Sequence, residues 1–263
     1  MRIEESLEEL ALQSSLILVC VRDDAAVDAV LFGDDGLYNY AKPGTLIADM
    51  STVSPSASKL RAAQLKERRI EFVDSPIVGG TSATENANSI LLVGGTETNC
   101  RRLTRSLRDM FKSIYHMGPL GMGNNGKLAF NLLVAFTITS FSEFLAFASK
   151  VNIELGILRK VLSDSSLQSS FYLDKFEKVS KREFNAGFTL ELLSKDLDLV
   201  CKIVSDRKSY QPLAKKVARI IKESSKQGKH LDYSALISEY EERNNRPLIF
   251  RASLRPDSKP GNG

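Results

Sequence analysis

The 263 residues contain no tryptophan, only two histidines (His116 and His230) and only three cysteines (Cys20, Cys100 and Cys201). The cysteines lie far apart with no CxxC spacing, which excludes a disulfide scaffold. With so few histidines, it also excludes a zinc site of ordinary ligand pattern, so no metal residue is assigned. Such cysteine usage fits a reducing, cytoplasmic setting. The first residues, MRIEESLEELALQSS, are acidic and lack the apolar stretch of a signal peptide. The longest uncharged run, Leu128–Ser142, is shorter than the roughly 20 residues a bilayer span needs. It reads as a buried helix, with no membrane partner. Nor does one sign of charge dominate: 36 Lys and Arg against 32 Asp and Glu leave +4. That excess is too small to argue for nucleic acid. The basic stretches Lys59–Arg69 and Arg101–Arg108 have acidic neighbours and no aromatic platform, and they read as solvated helix faces.

The chain has 43% hydrophobic and 26% charged residues, enough for a large core. Apolar runs predict strands at Leu16–Val21, Thr45–Asp49, Phe72–Asp74, Ser89–Val93 and Ile114–Met117. Helical patterns separate them at Asp23–Leu31, Pro55–Arg69 and Thr96–Phe111. Strands alternating with helices imply βαβ units on a largely parallel sheet. After Gly118–Gly123 no strand pattern follows. A long apolar helix is predicted over Lys127–Lys150, then helices at Ile153–Leu162, Leu173–Lys178, Leu190–Val204, Pro212–Lys226 and Tyr233–Arg243. Three regions result: an α/β domain over 1–122, an all-α domain over 123–243, and a disordered tail over 244–263.

Four segments bunch polar residues or glycines where a strand ends or a helix begins. In DMSTVSP, Ser54 and Pro55 suffice to start a helix, leaving Ser51 and Thr52 free for a ligand. In DSPIVGG, Gly79 and Gly80 either make a tight turn or bring backbone N–H groups close to a carboxylate. In GPLGMGNNGKLAFN, Lys127 and Asn131 are four apart and share one helix face. A lysine in the first turn opposes the helix dipole, which lowers its pKa and suits proton transfer. In FTLELLSKDL, Lys195 and Asp196 interrupt an apolar helix, and alone they read as a solvated patch.

Taken in order, these segments resemble the motifs of the β-hydroxyacid dehydrogenase family. It includes 3-hydroxyisobutyrate dehydrogenase, tartronate semialdehyde reductase and glyoxylate/succinic semialdehyde reductases, and its domains are of 6-phosphogluconate dehydrogenase type. The resemblance runs from roughly Leu7 to Glu241. It implies a Rossmann-like domain, a helical dimerisation domain, a homodimer or homotetramer, and NAD or NADP as cofactor. By resemblance Lys127 would be the catalytic acid/base, with Asn131 on the substrate. Ser51, Gly79 and Gly80 would bind substrate, a small hydroxy acid or semialdehyde. Thr52, Phe188, Lys195 and Asp196 would border the cofactor.

Three departures qualify the resemblance. The family's opening strand, GxGxxG turn, helix and second strand are not found, so the sheet is expected to be a truncated one with an exposed edge and weak dinucleotide binding. Val78 stands where the family has serine, and Arg22 where it has proline. Two functions follow as alternatives: an NAD(P)-dependent oxidoreductase, or a non-catalytic dimerising module on the same fold.

Overall fold

Short runs of Leu, Ile, Val and Phe, bounded by Asp, Gly or Pro, form the strands of one sheet. They are β1 (Leu16–Val19), β2 (Leu46–Asp49), β3 (Glu71–Asp74), β4 (Ile77–Val78), β5 (Ile90–Gly94) and β6 (Ser113–Gly118). The computed structural model describes residues 3–250. β1, β2 and β3 are parallel neighbours, with Leu16 opposite Leu46 and Leu46 opposite Glu71. β5 runs antiparallel to β3, meeting it at Asp74–Gly94, and antiparallel to β4; β6 is parallel to β5. The largely parallel sheet thus contains one reversal. A parallel connection needs a crossover of a dozen or more residues, usually helical. Between β3 and β5 the chain makes only β4 and a five-residue helix, so it doubles back.

Helices α1 (Leu7–Gln13), α2 (Asp24–Phe32), α3 (Leu37–Tyr40), α4 (Pro55–Lys66), α5 (Thr81–Glu85) and α6 (Glu97–Leu107) accompany the sheet. α1, α3, α5 and β4 are too short to leave a readable periodicity. Alternation along β2 divides the core. Ile47 packs with Val27, Leu31 and Leu37 on one face, while Leu46 and Ala48 pack with Leu103, Leu107 and Phe111 on the other. Arg61, expected on a solvated face, is only 3% exposed. Its guanidinium bonds Asp28 at 2.7 Å and Asp24 at 2.9 Å, fastening α4 to α2. Two carboxylates one helical turn apart pair its charge through Nε and one terminal nitrogen.

The remaining helices are α7 (Met122–Lys150), α8 (Leu155–Asp164), α9 (Ser170–Lys181), α10 (Leu190–Asp206), α11 (Pro212–Gly228) and α12 (Leu236–Arg243). The chain divides into two compact units, Met1–Leu133 with Lys195–Ala214, and Val134–Ser194 with Lys215–Gly263. The first α7 turns and most of α10 therefore group with the sheet. α7 has the length and hydropathy of a bilayer span, but half of its most apolar window is buried. In the second unit Phe141 meets Phe176 edge-on at 5.1 Å and Tyr172 at 5.4 Å. Lys175, 4% exposed, lies 4.4 Å from the Tyr233 ring and 3.7 Å from the Asp232 carboxylate. The tail expected to be disordered is ordered over 244–250. Leu248 is buried with its N–H on Glu241, and Phe250 lies edge-on to Phe176. The rest of that tail, 251–263, lies outside the described residues.

Candidate active site

Polar side chains collect where β2 and β3 end and α7 begins, all within the first unit. α7 starts at Met122, five residues before Lys127. Lys127 therefore sits in the second turn, beyond the reach of the helix-end field. It is nonetheless 8% exposed, and its pKa falls from 10.5 to about 8. Burial is the main cause; Asp196 opposes the shift and Lys195 adds to it. The direction is the one expected of a helix start, but its cause is burial and not the dipole.

One turn along, the Asn131 side-chain amide donates to Asp196 Oδ2 at 2.6 Å. Lys195 Nζ lies 2.9 Å from Asp196 Oδ1 in an ion contact and donates to the Thr52 carbonyl at 2.5 Å. Asp196 is 1% exposed, so the predicted solvated patch is in fact a buried carboxylate between two lysines and an amide. Burial pushes its pKa up, while Lys195, Lys127 and Asn131 hold the rise back.

Ser51 is buried. Its N–H donates to Asp49 Oδ1, and its hydroxyl oxygen accepts from the Val21 N–H. Ser54 caps α4 with Pro55 at the first position, as expected. Gly79 has φ +139°, and a Cβ there would lie 2.9 Å from the Ser89 side chain, so packing alone demands glycine. Gly80 opens the five-residue α5. Phe188 belongs to the other unit, where its ring lies 6.0 Å from that of Tyr233. Four predicted residues (Lys127, Asn131, Lys195 and Asp196) thus form one cluster, joined to Thr52 through its carbonyl.

Three further buried groups, Asp74, Asn124 and Asp49, belong to this end of the sheet. Asp74 accepts the Gly121 and Asn124 N–H groups at 2.7 Å each, placing a carboxylate at the start of α7. Asn124 ties α7 to the β2–α4 turn. Asp49 is fully buried, and its Oδ2 has no hydrogen-bond partner. All three lie inside the quoted motifs, but only the fold shows what their side chains reach.

Burial raises the Asp49 pKa from 3.8 to about 6. Its folded pKa therefore exceeds the unfolded one. The contribution to stability is full below pH 4 and is lost as pH rises through 6. Asp49→Asn retains an acceptor for Ser51 N–H and removes the buried charge. At pH 7 the variant should be more stable than the parent by about 2 kcal/mol, with the gap closing toward pH 4. Urea melts at pH 4, 5, 6 and 7 check this, and a gap independent of pH refutes it.

Residues 1–118 match the NAD binding domain of 6-phosphogluconate dehydrogenase, and 121–240 match the NAD-binding domain of NADP-dependent 3-hydroxyisobutyrate dehydrogenase. The chain is 30% identical over 238 residues to 2-hydroxy-3-oxopropionate reductase of Escherichia coli K12, spanning 90% of this chain and 82% of that protein. It belongs to the β-hydroxyacid dehydrogenase family. A further family relative, 2-(hydroxymethyl)glutarate dehydrogenase of Eubacterium barkeri, is 29% identical over 90% of this chain and 80% of its own length. A crystal structure of 3-hydroxyisobutyrate dehydrogenase from Salmonella typhimurium shares the fold. Its TM-score is 0.80 at 24% identity, covering 89% of this chain and 82% of that one.

The family's cofactor is NAD or NADP, as both domain matches state. The cluster's donor set suits the nicotinamide end: an amine, an amide, and the hydroxyl-bearing Ser51–Thr52 turn. The N-terminus of α2 is closed by the Asp23 carboxylate, α4 by Ser54 and α6 by Thr96. A helix start already satisfied by its own side chain is a poor phosphate site.

Proposed function

We propose that the chain interconverts a small hydroxy acid and its semialdehyde or keto acid with NAD(P), with Lys127 as acid/base. The supporting observation is a buried amine with a pKa of about 8, beside an amide fixed by a carboxylate. When bound, NAD(P) would supply the hydride chemistry at this site. Lys127 protonates the carbonyl oxygen during reduction and takes the hydroxyl proton during oxidation, its pKa suiting both near neutrality. Asn131, locked by Asp196, orients the same oxygen. Ser51 and the amides of Gly79 and Gly80 receive the substrate carboxylate. Thr52, Lys195 and Asp196 border the nicotinamide, and Lys195 fixes the turn that carries Thr52. Val78 has no hydroxyl to offer a carboxylate, which favours substrates other than those a serine there would select.

The test is a reductase screen of glyoxylate, succinic semialdehyde and tartronate semialdehyde with NADPH and NADH. Cofactor should be carried to millimolar concentration because the starts of α2, α4 and α6 are closed. Oxidation of NAD(P)H that depends on the aldehyde acid supports the proposal, and none with any pair defeats it. The closed starts of α2, α4 and α6 favour a second reading, a non-catalytic module of this fold.

We further propose that the second unit associates with another copy of the chain. Phe144, Phe147, Val151, Ile157, Val161 and Leu167 are exposed on α7, α8 and the segments following them. Light scattering should give at least twice 29.1 kDa. Phe147→Glu should lower that mass, and an unchanged monomeric parent refutes the association.

A further inference from the structure

We infer that Asn124 is a positioning residue: its side chain clamps the start of α7 onto the β2–α4 turn and so holds Lys127 in its buried place. The inference rests on the reading of Lys127 as proton carrier. Asn124 is fully buried, and both polar atoms of its side chain are bonded to the β2–α4 segment. Its Oδ1 accepts the Val53 N–H at 3.2 Å, and its Nδ2 donates to Ser58 Oγ at 3.2 Å. Its backbone N–H donates to Asp74 at 2.7 Å. These bonds span 71, 66 and 50 residues of sequence and converge on one helix turn.

Close approach is a precondition. A Cβ on Gly123 would lie 2.6 Å from the carbonyl oxygens of both Asp74 and Leu92, so α7 seats here only because that position is glycine. Val53, fully buried, follows Thr52, whose carbonyl is held by Lys195. One turn of chain is therefore gripped from α7 by Asn124 and from α10 by Lys195. Lys127 lies three residues after Asn124, less than one helical turn. Removing the clamp strands the Val53 N–H without an acceptor and frees the helix start to tilt, admitting water to the amine. Displacements near 1 Å suffice to cost on the order of 100-fold in rate. The neighbouring Asn125 is a built-in control. It is half-buried, and its side chain bonds only Met122 Sδ, within α7.

The experiment follows the Lys127 13Cε resonance of the full chain, labelled with 13C-lysine, through a pH titration. The resonance is assigned by its loss in Lys127→Ala. The parent should titrate near 8, against Asp196 and Lys195 as its charged neighbours. In Asn124→Ala the midpoint should rise by roughly one unit toward the ordinary lysine value, whereas Asn125→Ala should leave it in place. In the aldehyde-acid assay Asn124→Ala should lose at least about tenfold in kcat, with KM changed less than about threefold. Asn124→Asp, which keeps the acceptor for Val53, should recover most of that loss. If Asn124→Ala does not accumulate folded, Ser58→Ala removes the Nδ2 partner alone and should shift the midpoint in the same direction by less.

A midpoint unmoved in the clamp variant, with only the melting temperature lowered, overturns the inference. So does Asn124→Asp as impaired as Asn124→Ala. The two readings fail separately. A parent midpoint near 10.5, or undiminished turnover of Lys127→Ala, defeats the proton-carrier role itself. An unmoved clamp variant beside a parent at 8 defeats only the positioning role.

Discussion

Lys127→Ala is expected to lower kcat by about 100- to 10,000-fold, the usual worth of a positioned proton donor or acceptor. The fold should survive, because alanine is the best helix former and α7 continues for more than twenty residues beyond this position. Far-UV circular dichroism and the oligomeric mass should match the parent. Retention of more than about a tenth of the parental turnover, roughly 1.4 kcal/mol of barrier, refutes the assignment. The parent adds a signed pH test. Oxidation needs the neutral amine, so its rate should rise with pH through about 8. Reduction needs the ammonium, and its rate should fall over the same interval. Limbs of the same sign in both directions are incompatible with one lysine serving both.

The second large effect concerns Asp74. Asp74→Ala leaves the Gly121 and Asn124 N–H groups without their acceptor in a buried place. Unsatisfied buried donors cost roughly 1–3 kcal/mol each, and relief of the buried carboxylate returns part of that. A net loss of about 3 kcal/mol is expected, a fall of roughly 6–12 °C in melting temperature. Asp74→Asn keeps one acceptor and should recover about half of it. Calorimetry or thermal denaturation at pH 7 decides the matter; a shift below about 2 °C shows that α7 is anchored by other means. The tight packing around Gly94 predicts the same sensitivity. A Cβ there would lie 2.3 Å from Asp74 Oδ1.

The motifs made the site partly legible before folding. Lys127 and Asn131 were readable together because four residues on a helix return to the same face. The helix boundary was not, because Gly121, Gly123 and Gly126 argue locally against a helix that tertiary packing imposes. That error of five residues moved Lys127 from the first turn to the second and exchanged the cause of its pKa shift from dipole to burial. Lys195 and Asp196 looked like a solvated patch because charge on a helix usually is one. The burial of Asp196 and the seating of half-buried Lys195 follow from Asn131 and Thr52, which lie 65 and 143 residues away. Arg61 was misread for the same reason, its partners being on α2. The short elements β4 and α5 had too few residues to show a period. They nevertheless decide the direction of β5, and with it the reversal in the sheet.

Composition, periodicity and ordered motifs by themselves determined the class of fold, the succession of the longer strands and helices, and the family. Those signals are local and need only spacing along the chain. Tertiary structure alone decided which polar groups lose water and which meet. A carboxylate becomes a helix anchor or a tuned neighbour only when segments distant in sequence exclude solvent around it. The chemistry proposed here depends on that exclusion, since an amine in water stays an ammonium at neutral pH.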